Sequence, residues 1–407
     1  MKAITPVLFG MCSFVLTVSA GAWTETRPAF RKIAGVEKEV VVAATPVAPK
    51  HGEQTLAFLK DGRILLLWSE FLRTDLLPEA ERPPASPLRR DPTGDDGYAR
   101  ISGMTSADGG RSWSKPVVVV DDKDALVNCM SPGLTRLADG RLLLAYSWRS
   151  GGNGVGNYGH CAKMVRISAD EGATWSERIR ISPANDDYHT GCHDRSYTLA
   201  SGRVIVQCHT IFPPDSTHPA GGPTARMGTY FAYSDDNGGT WKRSAVQTDL
   251  RQGRFEEASL VQRSDGSLLQ IIRSRDGQSF YGESHDDGST WSLPRPSGIV
   301  TPLAPSLIVR LPRSSDLLLL WNSNFNPGEK LLGLRSPLLC AISKDGGKTW
   351  GLPKALETDT HFWWEYPSVL FDGDHALIYY RVFSLDRSRC DLAQARVPIA
   401  WFYAPTP

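Results

Sequence analysis

Six times along the chain a short polar turn leads into a run of apolar residues. The runs are KDGRILLLW from Lys60, ADGRLLLAY from Ala138, ASGRVIVQC from Ala200, SDGSLLQII from Ser264, SSDLLLLW from Ser314 and FDGDHALIYY from Phe371. Asp-Gly or Ser-Gly between apolar segments signals a hairpin, because these residues accept the backbone angles of a tight turn. Each run therefore predicts two antiparallel strands. A second repeat interleaves with the first: SADGGRSW from Ser106, SADEGATW from Ser168, SDDNGGTW from Ser234, SHDDGSTW from Ser284 and SKDGGKTW from Ser343. Hairpins and octapeptides alternate strictly, and the last hairpin has no octapeptide after it.

Five octapeptides of the form S-x-D-x-G-x-[ST]-W, all in register, make the chain a repeat array. Their residue types suit a structural task. Asp108, Asp170, Asp236, Asp286 and Asp345 can fold a carboxylate back onto the N–H groups of a turn. Gly110, Gly172, Gly238, Gly288 and Gly347 supply positive φ. Trp113, Trp175, Trp241, Trp291 and Trp350 can bury a large ring between sheets. We read these aspartates as turn formers, not catalysts. Each unit supplies four antiparallel strands, with the octapeptide turn between the third and the fourth. One such sheet cannot bury both faces, so the units pack radially as a β-propeller. Six hairpins predict an all-β, six-bladed propeller in one domain, residues 36–407. The last unit lacks an outer strand of its own. Val36–Ala44 (VEKEVVVAA) is expected to supply it, beside Asp391–Ala400.

Composition narrows the function. The 45 basic and 44 acidic residues nearly cancel, and no basic run occurs, which argues against a nucleic-acid partner. Any anion must be recognised by a local cluster of cations. Residues 1–20 read as an export signal, with Lys2, an apolar run from Ile4 to Val18 and small residues at Ser19 and Ala20. The expected location is therefore secreted or periplasmic, with no membrane span. Six cysteines follow: Cys129, Cys161, Cys192, Cys208, Cys340 and Cys390. Cys192 and Cys208 flank a hairpin turn and could bridge, or all six could be buried thiols. No cysteine or histidine spacing points to a metal, and no cofactor is expected.

The octapeptide is the Asp-box, or bacterial neuraminidase repeat. The chain resembles the sialidase (neuraminidase) superfamily over nearly all its length. The boxes also occur in propellers that are not enzymes, so an activity must be argued from other residues.

Inner strands of a propeller begin near its axis, so their first residues line one mouth. Those positions hold Glu53, Ser131, His193-Asp194-Arg195, Glu256-Glu257 and Glu365-Tyr366, which predicts a polar pocket. FEEASLVQRSDGSLLQIIRS sets Glu257 and Arg273 on the two strands of one hairpin, so their ends meet. The resemblance implies that Glu257 polarises a catalytic tyrosine and that Arg273 is one of three arginines clamping a substrate carboxylate. It places a second clamp arginine at Arg335, in NSNFNPGEKLLGLRSPLLC, and the tyrosine nucleophile at Tyr366, in WWEYPSVLF. A neutral tyrosine suits a sugar whose anomeric carbon bears a carboxylate, where an anionic nucleophile would be repelled.

The chain departs from the family in blade one. Sialidases open it with Arg-Ile-Pro; here HGEQTLAFLKDG puts Gly52 or Glu53 at that place. Arg195 is the expected substitute for the missing cation. For the acid/base residue we favour Asp95, ahead of Asp96, Asp91 and Asp194. His189, His193 and His209 read as polar-rim or hairpin residues. The function expected is release of a terminal acidic sugar from a glycan or glycoconjugate by a monomeric, retaining glycosidase. A glycosidase or lyase for another sugar, such as a uronate, and a non-catalytic glycan-binding propeller are the alternatives.

Overall fold

The computed structural model describes residues 28–89, 91, 93–151, 159–185, 188–212, 226–248, 254–329 and 331–405. The export signal expected over 1–20 lies outside them. The architecture is all-β and propeller-like. Every predicted hairpin forms, and each polar turn falls where the sequence put it. Leu142–Arg149, for example, pairs with Asn128–Arg136 on one side and Cys161–Ser168 on the other.

Among the described residues, three sheets are four-stranded and one is six-stranded. The fifth has eight strands, but it consists of two antiparallel sets joined only by the parallel pair Lys50 and Cys390. One set runs from Lys50–Phe58 through Ile64–Phe71 and Ala99–Ser106 to Val117–Val120. The other runs from Phe362–Asp372 through His375–Ser384 to Cys390–Pro398. Glu37–Val42 completes that second set, antiparallel to Cys390–Pro398, with Glu37 opposite Arg396 and Val42 opposite Leu392. The first described strand thus borders the last, as the unpaired apolar segment at the start of the chain predicts.

The octapeptides form nearly identical turns. In the one from Ser284, the Ser284 hydroxyl donates to Asp286 Oδ1 (2.8 Å), the Gly288 N–H donates to Ser284 Oγ (2.9 Å), and the Thr290 N–H and hydroxyl donate to the same carboxylate (2.9 and 2.6 Å). Gly288 has φ 80°, and a Cβ there would stand 2.4 Å from Ile205 Cδ1 of the neighbouring sheet. Glycine is needed for both reasons. The closing tryptophans reach the preceding sheet. Trp291 stacks on Phe231 with ring centroids 4.7 Å apart, Trp113 meets Tyr379 edge-on at 6.3 Å, and Trp350 donates to the Tyr281 hydroxyl across 2.8 Å. Apolar clusters fill the space between successive hairpin sets, as where Leu65 and Leu67 meet Leu142 and Leu144. Fully burying one such side chain contributes about 1.5–3 kcal/mol. All six described cysteines are free and buried, so Cys192 and Cys208 do not bridge.

Candidate active site

Five inner strands are interrupted near their start. The residue at the break is left-handed in each: Glu53 (φ 55°), Ser131 (57°), Asp194 (51°), Glu257 (50°) and Tyr366 (55°). In four of them the ladder skips here, between Gly52 and Thr55, Met130 and Gly133, Glu256 and Ser259, and Glu365 and Ser368. A bulge re-aims a side chain that would otherwise follow the alternation of the strand. A non-glycine residue at such φ costs about 1–3 kcal/mol and persists where its surroundings over-determine it. The sequence-predicted pocket residues are thus the bulge residues or their immediate neighbours.

The bulges surround a pocket of about 320 Å³. Glu53, Asp95, Glu257, Arg273, Arg335 and Tyr366 all line it. Tyr366 donates its hydroxyl to Glu257 Oε1 across 3.0 Å. Arg273 donates to Glu257 Oε2 and reaches the Tyr366 oxygen at 3.2 Å. The Tyr366 ring also faces the buried His193, with centroids 5.3 Å apart. Burial, and then the Glu257 carboxylate, push the phenol well above its ordinary pKa, so at rest it keeps its proton. Arg335 pairs with Glu365 and donates to the Leu303 carbonyl at 2.7 Å. Burial alone would raise the Glu365 pKa; Arg335 and Arg381 outweigh it and hold that carboxyl at about 2.

Asp95 accepts from Lys50 Nζ at 2.8 Å. Lys50 is itself buried and sits over the Phe71 ring. The ammonium holds the Asp95 carboxyl well below the usual carboxylate range. The Asp95 side chain is 69 % exposed, so solvent weakens the pair without reversing its direction. Asp96 lies instead on Arg149 at 2.8 Å. Asp91 caps its own turn through Thr93, and Asp194 is bonded to Thr55 Oγ1 at 2.7 Å; none of the three lines the pocket. His209 does, and burial lowers its pKa to about 4, which keeps it neutral. The loop Leu72–Asp96 reaches the site through Asp95, whereas most of two other long stretches between strands, 149–159 and 212–223, lies outside the described residues.

The BNR repeat-like domain family matches residues 93–379, about two thirds of the chain. The chain belongs to this family, within the sialidase and BNR-repeat propeller superfamily. Solved structures share the fold at low identity. A Dyadobacter fermentans protein of unknown function is 19 % identical, with TM-score 0.66 over 90 % of this chain and 100 % of its own. A Hadza microbial sialidase is 18 % identical, with TM-score 0.65 over 88 % of this chain and 68 % of its own. The Trypanosoma rangeli sialidase, solved with sialic acid, is 14 % identical, with TM-score 0.64 over 89 % of this chain and 59 % of its own. No curated protein sequence matches the chain significantly.

Two expectations for this BNR-repeat protein change. Arg195 does not reach the pocket: it is buried, and its guanidinium donates to the carbonyls of Asp194 (3.2 Å) and Ser306 (3.3 Å). It follows the bulge residue directly, as do Gln54, Pro132, Ala258 and Pro367 in the other strands, and this position turns into the body of the fold. Glu53 is not a bare anion at the mouth either. Ser69 (3.2 Å) and Ser131 (3.0 Å) donate to it, and burial raises its pKa. Several pocket residues escaped the sequence reading, Lys50, Arg254, Arg275, Arg381 and Arg387 among them. Arg381 lies with its Cζ 4.0 Å from the Tyr366 ring centroid and is bonded to Glu365. Its signal was present: Arg381 lies on the strand after Glu365-Tyr366 as Arg273 lies on the strand after Glu256-Glu257.

Proposed function

We propose that this chain is an exported glycoside hydrolase of the exo-α-sialidase type, removing a terminal acidic sugar from glycans with retention of configuration. The observation that carries this reading is the 3.0 Å hydrogen bond from the Tyr366 hydroxyl to Glu257 at the floor of an arginine-lined pocket. As the Tyr366 oxygen attacks the anomeric carbon, its proton passes to Glu257. The glycosidic C–O bond breaks, and a proton from Asp95 goes to the leaving oxygen. Water then attacks the anomeric carbon of the tyrosyl glycoside, with Asp95 taking a proton from it; the C–O bond to Tyr366 breaks, and Glu257 returns its proton to the phenol oxygen. Because Lys50 favours ionised Asp95, this residue must take up a proton before the first step. Arg273 and Arg335 hold the substrate carboxylate, for which a guanidinium fork is well shaped.

The same reading counts each four-stranded set as a blade and the eight-stranded sheet as two. It gives a six-bladed, single-domain monomer over residues 36–407, built on Asp-boxes, with residues 1–20 as its export signal. A panel of aryl glycosides tests the activity, with an aryl α-sialoside and an aryl uronide as the central members. Cleavage of the sialoside that is lost in Tyr366→Phe supports the reading. Tyrosine-dependent cleavage of the uronide alone moves the substrate to a uronate. Binding without turnover of any member leaves a glycan-binding propeller.

A further inference from the structure

Sheet register makes Arg381 the counterpart of Arg273. Glu256 stands opposite Arg273 just before the bulge that aims Glu257, and Glu365 stands opposite Arg381 just before the bulge that aims Tyr366. The two hairpins therefore deliver one arginine each to the same mouth. The Arg381 side chain then crosses to the neighbouring inner strand and lies directly against Gly52. A Cβ at position 52 would stand 2.0 Å from Arg381 Cδ and 2.3 Å from Cγ. Any residue but glycine there closes the path. Gly52 or Glu53 stands where the sialidase pattern puts its blade-one arginine, so the loss of that side chain and the entry of Arg381 fall within one residue of each other.

We propose that Arg381, admitted by Gly52, supplies the third guanidinium of the anion clamp, from a different strand than the one the family pattern uses. This rests on the glycosidase reading above. Three guanidiniums bracket the phenol: Arg273 at 3.2 Å from its oxygen, Arg381 with Cζ 4.0 Å from the ring centroid, and Arg335 with Cζ at 5.6 Å. Three carboxylates pair with them: Glu257 and, at 3.5 Å, Glu256 with Arg273, and Glu365 with both Arg335 and Arg381. Arg254, Arg275, Arg387 and Lys50 line the same pocket, so its cations outnumber its carboxylates, which suits an anionic ligand. Glu53, 3.5 Å from Arg381, accepts hydrogen bonds from two serines, and burial raises its pKa. Lys50 pairs with Asp95, and Glu256 is shared between Arg254 and Arg273. Nε of Arg335 and of Arg381 has no hydrogen-bond partner among the described residues, so neither guanidinium is saturated by its neighbours.

The test is calorimetric binding of N-acetylneuraminic acid against its methyl ester, and of glucuronic acid against glucose. The proteins are wild type, Arg381→Ala, Arg381→Lys and Gly52→Ala, each checked by thermal melting. Wild type is expected to prefer one acid over its neutral counterpart. Arg381→Ala should weaken that acid by about ten- to a hundredfold and leave the neutral sugar unchanged. Arg381→Lys keeps a buried cation for Glu365, so it serves if the alanine variant does not fold, and it should lose part of the preference. Gly52→Ala keeps every charge but displaces Arg381, and should behave like Arg381→Ala. Unchanged acid binding in Arg381→Ala or Arg381→Lys overturns the proposal, as does a wild type that prefers neither acid. The glycosidase reading fails separately, through cleavage that survives Tyr366→Phe or is never seen.

Discussion

Tyr366 and Glu257 lie 109 residues apart, yet they occupy the same bulge of two different hairpins and meet across a 3.0 Å hydrogen bond. The left-handed backbone at both positions turns each side chain toward the axis. A buried phenol with a raised pKa is a poor nucleophile unless its proton has somewhere to go as the bond forms. In the proposed reaction Glu257 is that acceptor. Glu257→Gln should therefore lower kcat by about a hundred- to ten-thousandfold on the substrate that wild type cleaves, with a much smaller change in KM. Single-turnover kinetics on the aryl glycoside measure it. A loss confined to KM contradicts the base role.

Lys50 sets the protonation of Asp95. If Asp95 is the acid, activity falls as pH rises through its pKa, because the ionised form has no proton to give. Lys50 Nζ at 2.8 Å holds that pKa low. Lys50→Met removes the ammonium, so the alkaline limb of the kcat–pH profile should move to higher pH, by about one unit or more. The substrate should have a sugar or alkyl leaving group, which needs protonation more than a nitrophenol does. A limb that stays in place assigns the acid to another residue.

Asp194 is a stability liability above neutral pH. Burial lifts its pKa to about 6, above its value in an unfolded chain. A carboxyl raised in this way contributes stability below the unfolded pKa and loses it as pH rises through the folded one. Asp194→Asn keeps an oxygen for the Thr55 hydroxyl, which donates to Asp194 at 2.7 Å. The variant should gain about 2–3 kcal/mol at pH 8 and close to nothing at pH 4, read from urea unfolding at both pH values.

The octapeptide turns should be intolerant where glycine touches the next sheet. Gly347 has φ 89°, and a Cβ there would lie 2.6 Å from Leu269 Cδ2. Gly347→Ala should cost about 1–3 kcal/mol, through strain and forced repacking. Gly266 also has positive φ (87°), but nothing stands within 4 Å of its Cβ position, so Gly266→Ala should cost less. Thermal melts of the two variants separate backbone strain from the clash between sheets.

Hairpins, octapeptides and the closing strand were legible because each is written locally, in turn residues and alternating apolar runs. The site was legible as far as it follows the repeat. Glu53, Ser131, Asp194, Glu257 and Tyr366 were reached by counting back from each turn, and each is the left-handed residue at the start of its inner strand. Arg195 misled because one residue beyond a bulge reverses the direction of a side chain, and a sequence does not mark where a ladder skips. Arg381 was missed for a different reason. It belongs to no motif, and only the pairing of Glu365 with Arg381, parallel to that of Glu256 with Arg273, shows that it shares the mouth.

The bond between Glu37–Val42 and Cys390–Pro398 also fixes an order of events. The two strands come from opposite ends of the described chain, so their pairing closes one of the longest loops in the fold. Loop closure of that span is entropically costly before any contact rewards it, and this seam is expected to form late in folding. Hydrogen exchange during refolding should show Glu37–Val42 among the last segments to gain protection.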